Sequence, residues 1–260
     1  MSFGRSCVRL VNSFVSLVVM IAILIFGSYS AYALWDNNQI YSEASNVQLQ
    51  MQELKPVIDD SEEGGGPTFG QLLAINSDVR GWITMDGTKI DFPILQGETN
   101  LSYINTDVYG KFALAGSIFL DCRNSSDFSD HYNLIYGHHM ANSNMFGDLD
   151  LYREEAFFRD NTTGLLMTTQ AVYDLKVVAL LILSASDDHI FDITLNQNPD
   201  DVITFCRETA VYCSDEMPEL GEDVQFLALS TCSSDFTDAR TVVITQMIEK
   251  TKAFLGGDLG

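Results

Sequence analysis

The sequence predicts a mostly β domain, a closed mixed β-barrel of about eight strands with helices on its N-terminal side and one helix inserted before its last two strands. Three observations carry this. Short apolar runs rich in β-branched and aromatic residues recur along the second two thirds of the chain. Turn chemistry (Asp-Gly, and Ser, Asn and Asp clusters) separates them, and helical spacing is confined to a few stretches.

In chain order, residues 10–35 hold no charged side chain and 14–26 are almost wholly aliphatic. About 20 apolar residues cross a bilayer, so this run predicts a signal-anchor helix over 10–34. Arg5 and Arg9 before it and Asp36 after it place residues 1–9 in the cytoplasm and the rest outside. A cleaved signal peptide is the competing reading, kept open by the small residues at 28–33. Residues 36–55 carry Ile40, Ala44, Val47, Leu49, Met51 and Leu54 at loosely helical intervals, predicting a docked helix or a stalk. The acidic, glycine-rich DDSEEGGGP at 59–67 reads as a linker. The stalk and linker thus span 35–66, and an extracellular domain spans 67–260.

Thr68 is positioned to cap a short helix whose apolar face is Phe69, Leu72, Leu73 and Ile75. Residues 81–85 and 89–95 read as a hairpin about Asp86-Gly87, with Pro93 pushing the second strand toward an edge. Further strands are predicted at 116–122 and 133–138, with a polar loop at 123–130. Met145, Leu149, Tyr152, Ala156 and Phe157 predict a helix over 144–160. LLMTTQA and YDLKVVALLIL give two strands within 164–184, and Asn-Pro-Asp opens an amphipathic helix over 200–213. Residues 224–248, VQFLALSTCSSDFTDARTVVITQMI, are two strands joined by a turn.

An apolar fraction of 46% in 260 residues supports a real core. The net charge of −22 argues against nucleic acid or an anionic membrane surface as partner, and any steering favours cationic amines. Cys7, Cys122, Cys206, Cys213 and Cys232 are odd in number and show no CxxC, so they form no disulfide or zinc pattern. Read as one helix, VITFCRETAVYC sets the Cα atoms of Cys206 and Cys213 about 10 Å apart, beyond bridging range. They read as core thiols on one side; a disulfide between them is the other reading.

The last strand pair carries the chemistry. It brings Cys232 and Arg240 to one rim of a sheet, where a permanent cation favours a thiolate and can hold a developing oxyanion. A cysteine at a strand end is also, commonly, a small buried hydrophobe. NLIYGHHM at 133–140 adds what a thiol nucleophile requires, an imidazole at a strand end to serve as general acid and base.

LSTC followed by Arg240, preceded by IYGHHM and MFGDL, with GWITMDGTKIDFPILQG and AGSIFLDCRN upstream, resembles the class B sortases, transpeptidases of Gram-positive cell surfaces. The resemblance runs from about residue 69 to 250. It implies Cys232 as nucleophile, His138 as acid and base, and Arg240 as oxyanion and substrate holder, with substrate contacts at Ser230, Thr231 and Asn105. It also implies that the inserted helix walls the substrate groove, that no cofactor or metal is needed, and that the substrates are secreted proteins with a C-terminal sorting signal. The acceptor would be an amine of a peptidoglycan precursor or a pilin. Seven residues between Cys232 and Arg240, and Ser233 where some members place Glu, are more similar to the pilus-polymerising kind.

Strand neighbours face opposite ways, so only one of His138 and His139 can face Cys232, and the motif favours His138. His131 and His189 lie in polar stretches and read as solvated, as do Asp235 and Asp238. A zinc site is a poor reading, since adjacent histidines do not readily share a metal and no third ligand is suitably spaced. Two other functions compete: a cell-wall cysteine hydrolase, disfavoured because papain-like enzymes place Cys before His, and a non-catalytic surface-binding β domain in which Cys232 only packs.

Overall fold

The structure, a computed structural model, describes residues 2–57, 69–140, 143–194, 196–232 and 238–250; of Cys232 it describes the backbone. The linker at 59–67, the cap Thr68, Ser233 and Asp235 lie outside this set. The chain divides into two compact units, Met1–Glu43 and Ala44–Gly260.

Helix α1 (Ser2–Gln52) makes up the first unit and ends in the second. The apolar run and the polar stretch after it form one uninterrupted helix, and Pro56 is the first proline of the chain. The part from Val8 onward contains a stretch long and apolar enough to cross a membrane, with a mean hydropathy of 2.5 over an 18-residue window, and its large apolar side chains up to Trp35 are exposed.

The second unit is a closed, mixed, eight-stranded barrel. Strands β1 (Val79–Met85) and β2 (Asp91–Leu95) form the expected antiparallel hairpin, with Gly87 at φ +74° in its turn. β3 (Ile118–Leu120) and β4 (Tyr132–Tyr136) follow, then β5 (Thr163–Thr168), β6 (Val172–Ser184), the two-residue β7 (Tyr212–Cys213), β8 (Gln225–Cys232) and β9 (Ala239–Glu249). The spatial order is β5-β1-β2-β3-β4-β8-β9-β6, the β5–β6 pairing closes the ring, and β7 is added outside on β6. Among the described residues, only β2–β3 and β4–β8 are parallel.

Helix α2 (Gly70–Ile75) precedes β1. The insertion between β7's partner β6 and β8 carries α4 (Asp188–Phe191) and α5 (Pro199–Thr209), and α3 (Glu155–Asp160) lies before β5. Asn198 caps α5, its side chain accepting the Asp200 N–H, with Pro199 in the first turn. Val202, Ile203 and Cys206 of α5 pack on Phe226, Ala228, Val242 and Ile244 and on Tyr132 and Leu134. The alternate residues Leu227, Leu229 and Val243 are also buried, so β8 and β9 are apolar on both faces and read as near-continuous hydrophobic runs.

The last turns of α1 belong to this unit. Met51 is 1% exposed and packs with Phe69, Leu72, Val79 and Trp82. The Lys55 ammonium sits 2.7 Å from Asp91 Oδ1, which also accepts the Trp82 indole N–H at 2.6 Å.

Three expectations are corrected. β2 is not an edge: it pairs with β1 and β3, and Pro93 is accommodated because β3 reaches only Ile94 and Leu95. The predicted helix over 144–160 is a 3-10 helix (Gly147–Arg153) and α3, separated by extended Glu154. Period three puts Phe146, Leu149 and Tyr152 on one face, all fully buried, and positive φ at Met145 prevents an earlier start. Finally, Cys213 is in β7 rather than in a helix with Cys206, because residues 211–214 pair with β6 instead of continuing α5. Both cysteines are free. Burial pushes the Cys206 thiol up to about 12.

Candidate active site

Cys232 is the last residue of β8 and pairs in register with Arg240, the second residue of β9. The register sets the two backbone positions directly opposite one another at the strand ends. β4 lies on the other side of β8, parallel to it, with Tyr136 paired to Ser230 and the Gly137 N–H donating to the Ser230 carbonyl at 3.1 Å. His138 lies two residues beyond Tyr136, level with Cys232. Gly137 is required between them: a Cβ there would come within 2.8 Å of the Phe146 ring.

His138, Arg240, Ser230 and Thr231 line one cavity of about 140 Å3, with Ile104, Phe119, Tyr136 and Gly137 completing it. The His138 Nε2 is 2.7 Å from the Ile104 carbonyl. A carbonyl oxygen only accepts, so Nε2 carries a hydrogen and Nδ1 is the nitrogen left to gain or lose one. The hydroxyls of Ser230 and Thr231 are buried without a partner among the described residues. Arg240 is half-buried and gives one donor to the Ala239 carbonyl at 3.0 Å.

The other histidines are held elsewhere. His139 Nε2 is 2.7 Å from Asp150, His131 Nδ1 is 3.2 Å from the Val224 carbonyl, and exposed His189 stacks on Phe205 at 4.7 Å. Asn105 is exposed beside Ile104, and its carbonyl accepts the Ala113 N–H. Asp238 is exposed at φ +61°, its carbonyl accepting the Ala185 N–H. Among the described residues no group of three His, Cys, Asp or Glu is placed to hold a metal.

Sequence reasoning passed over Tyr136, Phe119 and Ile104. Tyr136 was detectable by period two from His138, whereas Ile104 comes from a loop with no sequence signal tying it to the histidine.

No family model matches the chain. It is 31% identical to sortase B of Listeria monocytogenes over 183 residues, spanning 69% of this chain and 73% of the relative. It is 29% identical to sortase B of Staphylococcus aureus over 240 residues, 90% of this chain and 96% of the relative. Among solved structures, a Streptococcus pyogenes class B sortase involved in pilus biogenesis is 40% identical with a TM-score of 0.60, covering 69% of this chain and 97% of that one. A barrel of this topology, with a histidine and an arginine lining one cavity at its strand ends, and this degree of likeness lead to one conclusion: the chain belongs to the class B sortases, cysteine transpeptidases acting on sorting signals.

Proposed function

We propose that this chain is a membrane-anchored sortase that cleaves a C-terminal sorting signal through a thioacyl intermediate and passes the acyl group to a pilin lysine amine. The observation that carries the reading is that His138 and Arg240 line one cavity at the strand level of Cys232. The Cys232 thiolate attacks the scissile carbonyl, forming a C–S bond and a tetrahedral oxyanion beside the Arg240 guanidinium. Collapse breaks the C–N bond, and the leaving amine takes a proton from Nδ1 of His138, whose Nε2–H stays on the Ile104 carbonyl. The acceptor amine then attacks the thioacyl carbon, gives its proton to Nδ1 and releases the thiolate.

Ser230 and Thr231, which line the cavity, border the bound peptide backbone. Arg5 and Arg9 before the apolar run, with Asp36 after it, favour a cytoplasmic N-terminus and an extracellular barrel. Favouring a pilin acceptor are the 40% identity to a pilus-biogenesis sortase, the short interval between Cys232 and Arg240, and a surface charge that attracts a cationic amine.

Full-length protein incubated with sorting-signal peptides and with either lysine-bearing pilin fragments or peptidoglycan-precursor amines tests this. A thioester on Cys232 by intact mass, transfer to the pilin lysine, and inactivity of Cys232→Ala and His138→Ala are expected. Transfer only to the cell-wall amine would overturn the acceptor. Hydrolysis that no amine diverts would make the chain a hydrolase, and an unreactive Cys232 a binding module.

A further inference from the structure

We propose that Asp121 and Arg123 form a clamp that sets one wall of the sorting-signal groove, holding Tyr136 and the Phe191 end of α4 in place and thereby governing affinity for the peptide. The inference rests on the reading of the cavity as the peptide groove.

Asp121 follows β3 directly and is fully buried, a costly position for a carboxylate unless every lone pair is used. Arg123 meets it with a two-pronged fork, Nε to Oδ1 at 2.9 Å and Nη2 to Oδ2 at 2.8 Å, and adds its backbone N–H at 3.0 Å. Asn100 donates to Oδ2 at 2.8 Å and the Tyr136 hydroxyl at 2.9 Å.

One of these partners lines the groove and another reaches the inserted segment. Tyr136 lines the catalytic cavity, its ring 5.3 Å from that of Phe119, another lining residue. The same Nη2 of Arg123 donates to the Phe191 carbonyl at 2.7 Å, while Nη1 lies 3.7 Å from Asp192. Tyr136 and Phe191 also pack against one core cluster, and the Tyr132 hydroxyl donates to the neighbouring Ile190 carbonyl at 3.1 Å. The inserted segment between β6 and β8 is therefore tied to β3 and β4 through one guanidinium and one buried carboxylate. Asp121 is not a lining residue, so it acts through Tyr136 and Phe191 as a positioning residue.

The test compares Asp121→Asn and Tyr136→Phe in full-length protein, using the sorting-signal peptide that the wild type cleaves fastest from a panel and iodoacetamide alkylation of Cys232. The clamp predicts that Asp121→Asn raises KM about tenfold, the scale of one charge-assisted hydrogen bond, with kcat and the alkylation rate within about twofold. Tyr136→Phe, which removes only the hydroxyl contact, gives the same split at smaller amplitude, and it decides alone if Asp121→Asn does not fold. Unchanged KM in the folded variants overturns the clamp alone, as does a loss confined to kcat and alkylation. A wild type that cleaves no peptide in the panel overturns the transpeptidase reading and the clamp with it.

Discussion

Cys232 and Arg240 are register partners across the β8–β9 ladder, although seven residues separate them in sequence. The pairing makes the guanidinium's shape matter as well as its charge. Arg240→Lys keeps the cation and loses the planar fork, and kcat/KM for peptide cleavage is expected to fall about 10²–10³-fold. A loss under about threefold in steady-state assays would show that charge alone suffices.

Gly137→Ala introduces a methyl group against Ile118 and the Phe146 ring on the strand end that aims His138. Overpacking of this kind costs about 1–3 kcal/mol, expected as a lower urea midpoint with unchanged m-value, accompanied by reduced turnover. An unaltered midpoint would mean that the Phe146 side yields freely.

The end of α1 and the turn after it contribute to barrel stability through Val47, Met51 and Leu54. A fragment starting at residue 44 is therefore expected to melt several degrees above one starting at 67, since deleting one buried large side chain alone costs about 2–5 kcal/mol. Equal melting temperatures would show that these contacts add nothing.

Burial alone would raise the Asp121 carboxyl, but hydrogen bonds from Arg123, Asn100 and Tyr136 outweigh it and hold it below the usual carboxylate range. A depressed folded-state pKa contributes stability that is present above the unfolded value, about 3.9, and is lost as pH falls through the folded value. The stability gap between wild type and Asp121→Asn should accordingly be full at neutral pH and narrow below about pH 4 in urea titrations. A gap independent of pH would remove the ion pair as its cause.

Cys206 is fully buried and its thiol is pushed up to about 12 by burial, so it stays protonated at neutral pH. Native-state iodoacetamide labelling is expected to spare Cys206 and to reach it only on unfolding, as peptide mass mapping would show. Rapid native labelling there would imply that α5 opens readily.

The eight-strand barrel, its Asp-Gly hairpin and the strand pair ending in Cys232 and Arg240 were legible because alternation, β-branching and turn residues are local signals. His138, and not His139, lines the cavity, in keeping with the opposite facing of strand neighbours. Pro93, the 144–160 segment and Cys213 misled for a common reason: β3's short reach, the three-residue period of Phe146, Leu149 and Tyr152, and the pull of β6 on 211–214 are contacts that local preference does not encode.

By itself the sequence determined the strand pattern, the apolar N-terminal helix and the three side-chain types proposed for the reacting centre. Only the tertiary structure decided that the Ile104 carbonyl fixes His138's hydrogen on Nε2, that Tyr136 and Phe119 complete the cavity, and that Asp121 joins β3, β4 and the inserted helices. The reason is distance along the chain: Ile104, Asp121, His138, Phe191 and Arg240 meet only once the barrel closes, and no periodicity in the sequence spans such separations.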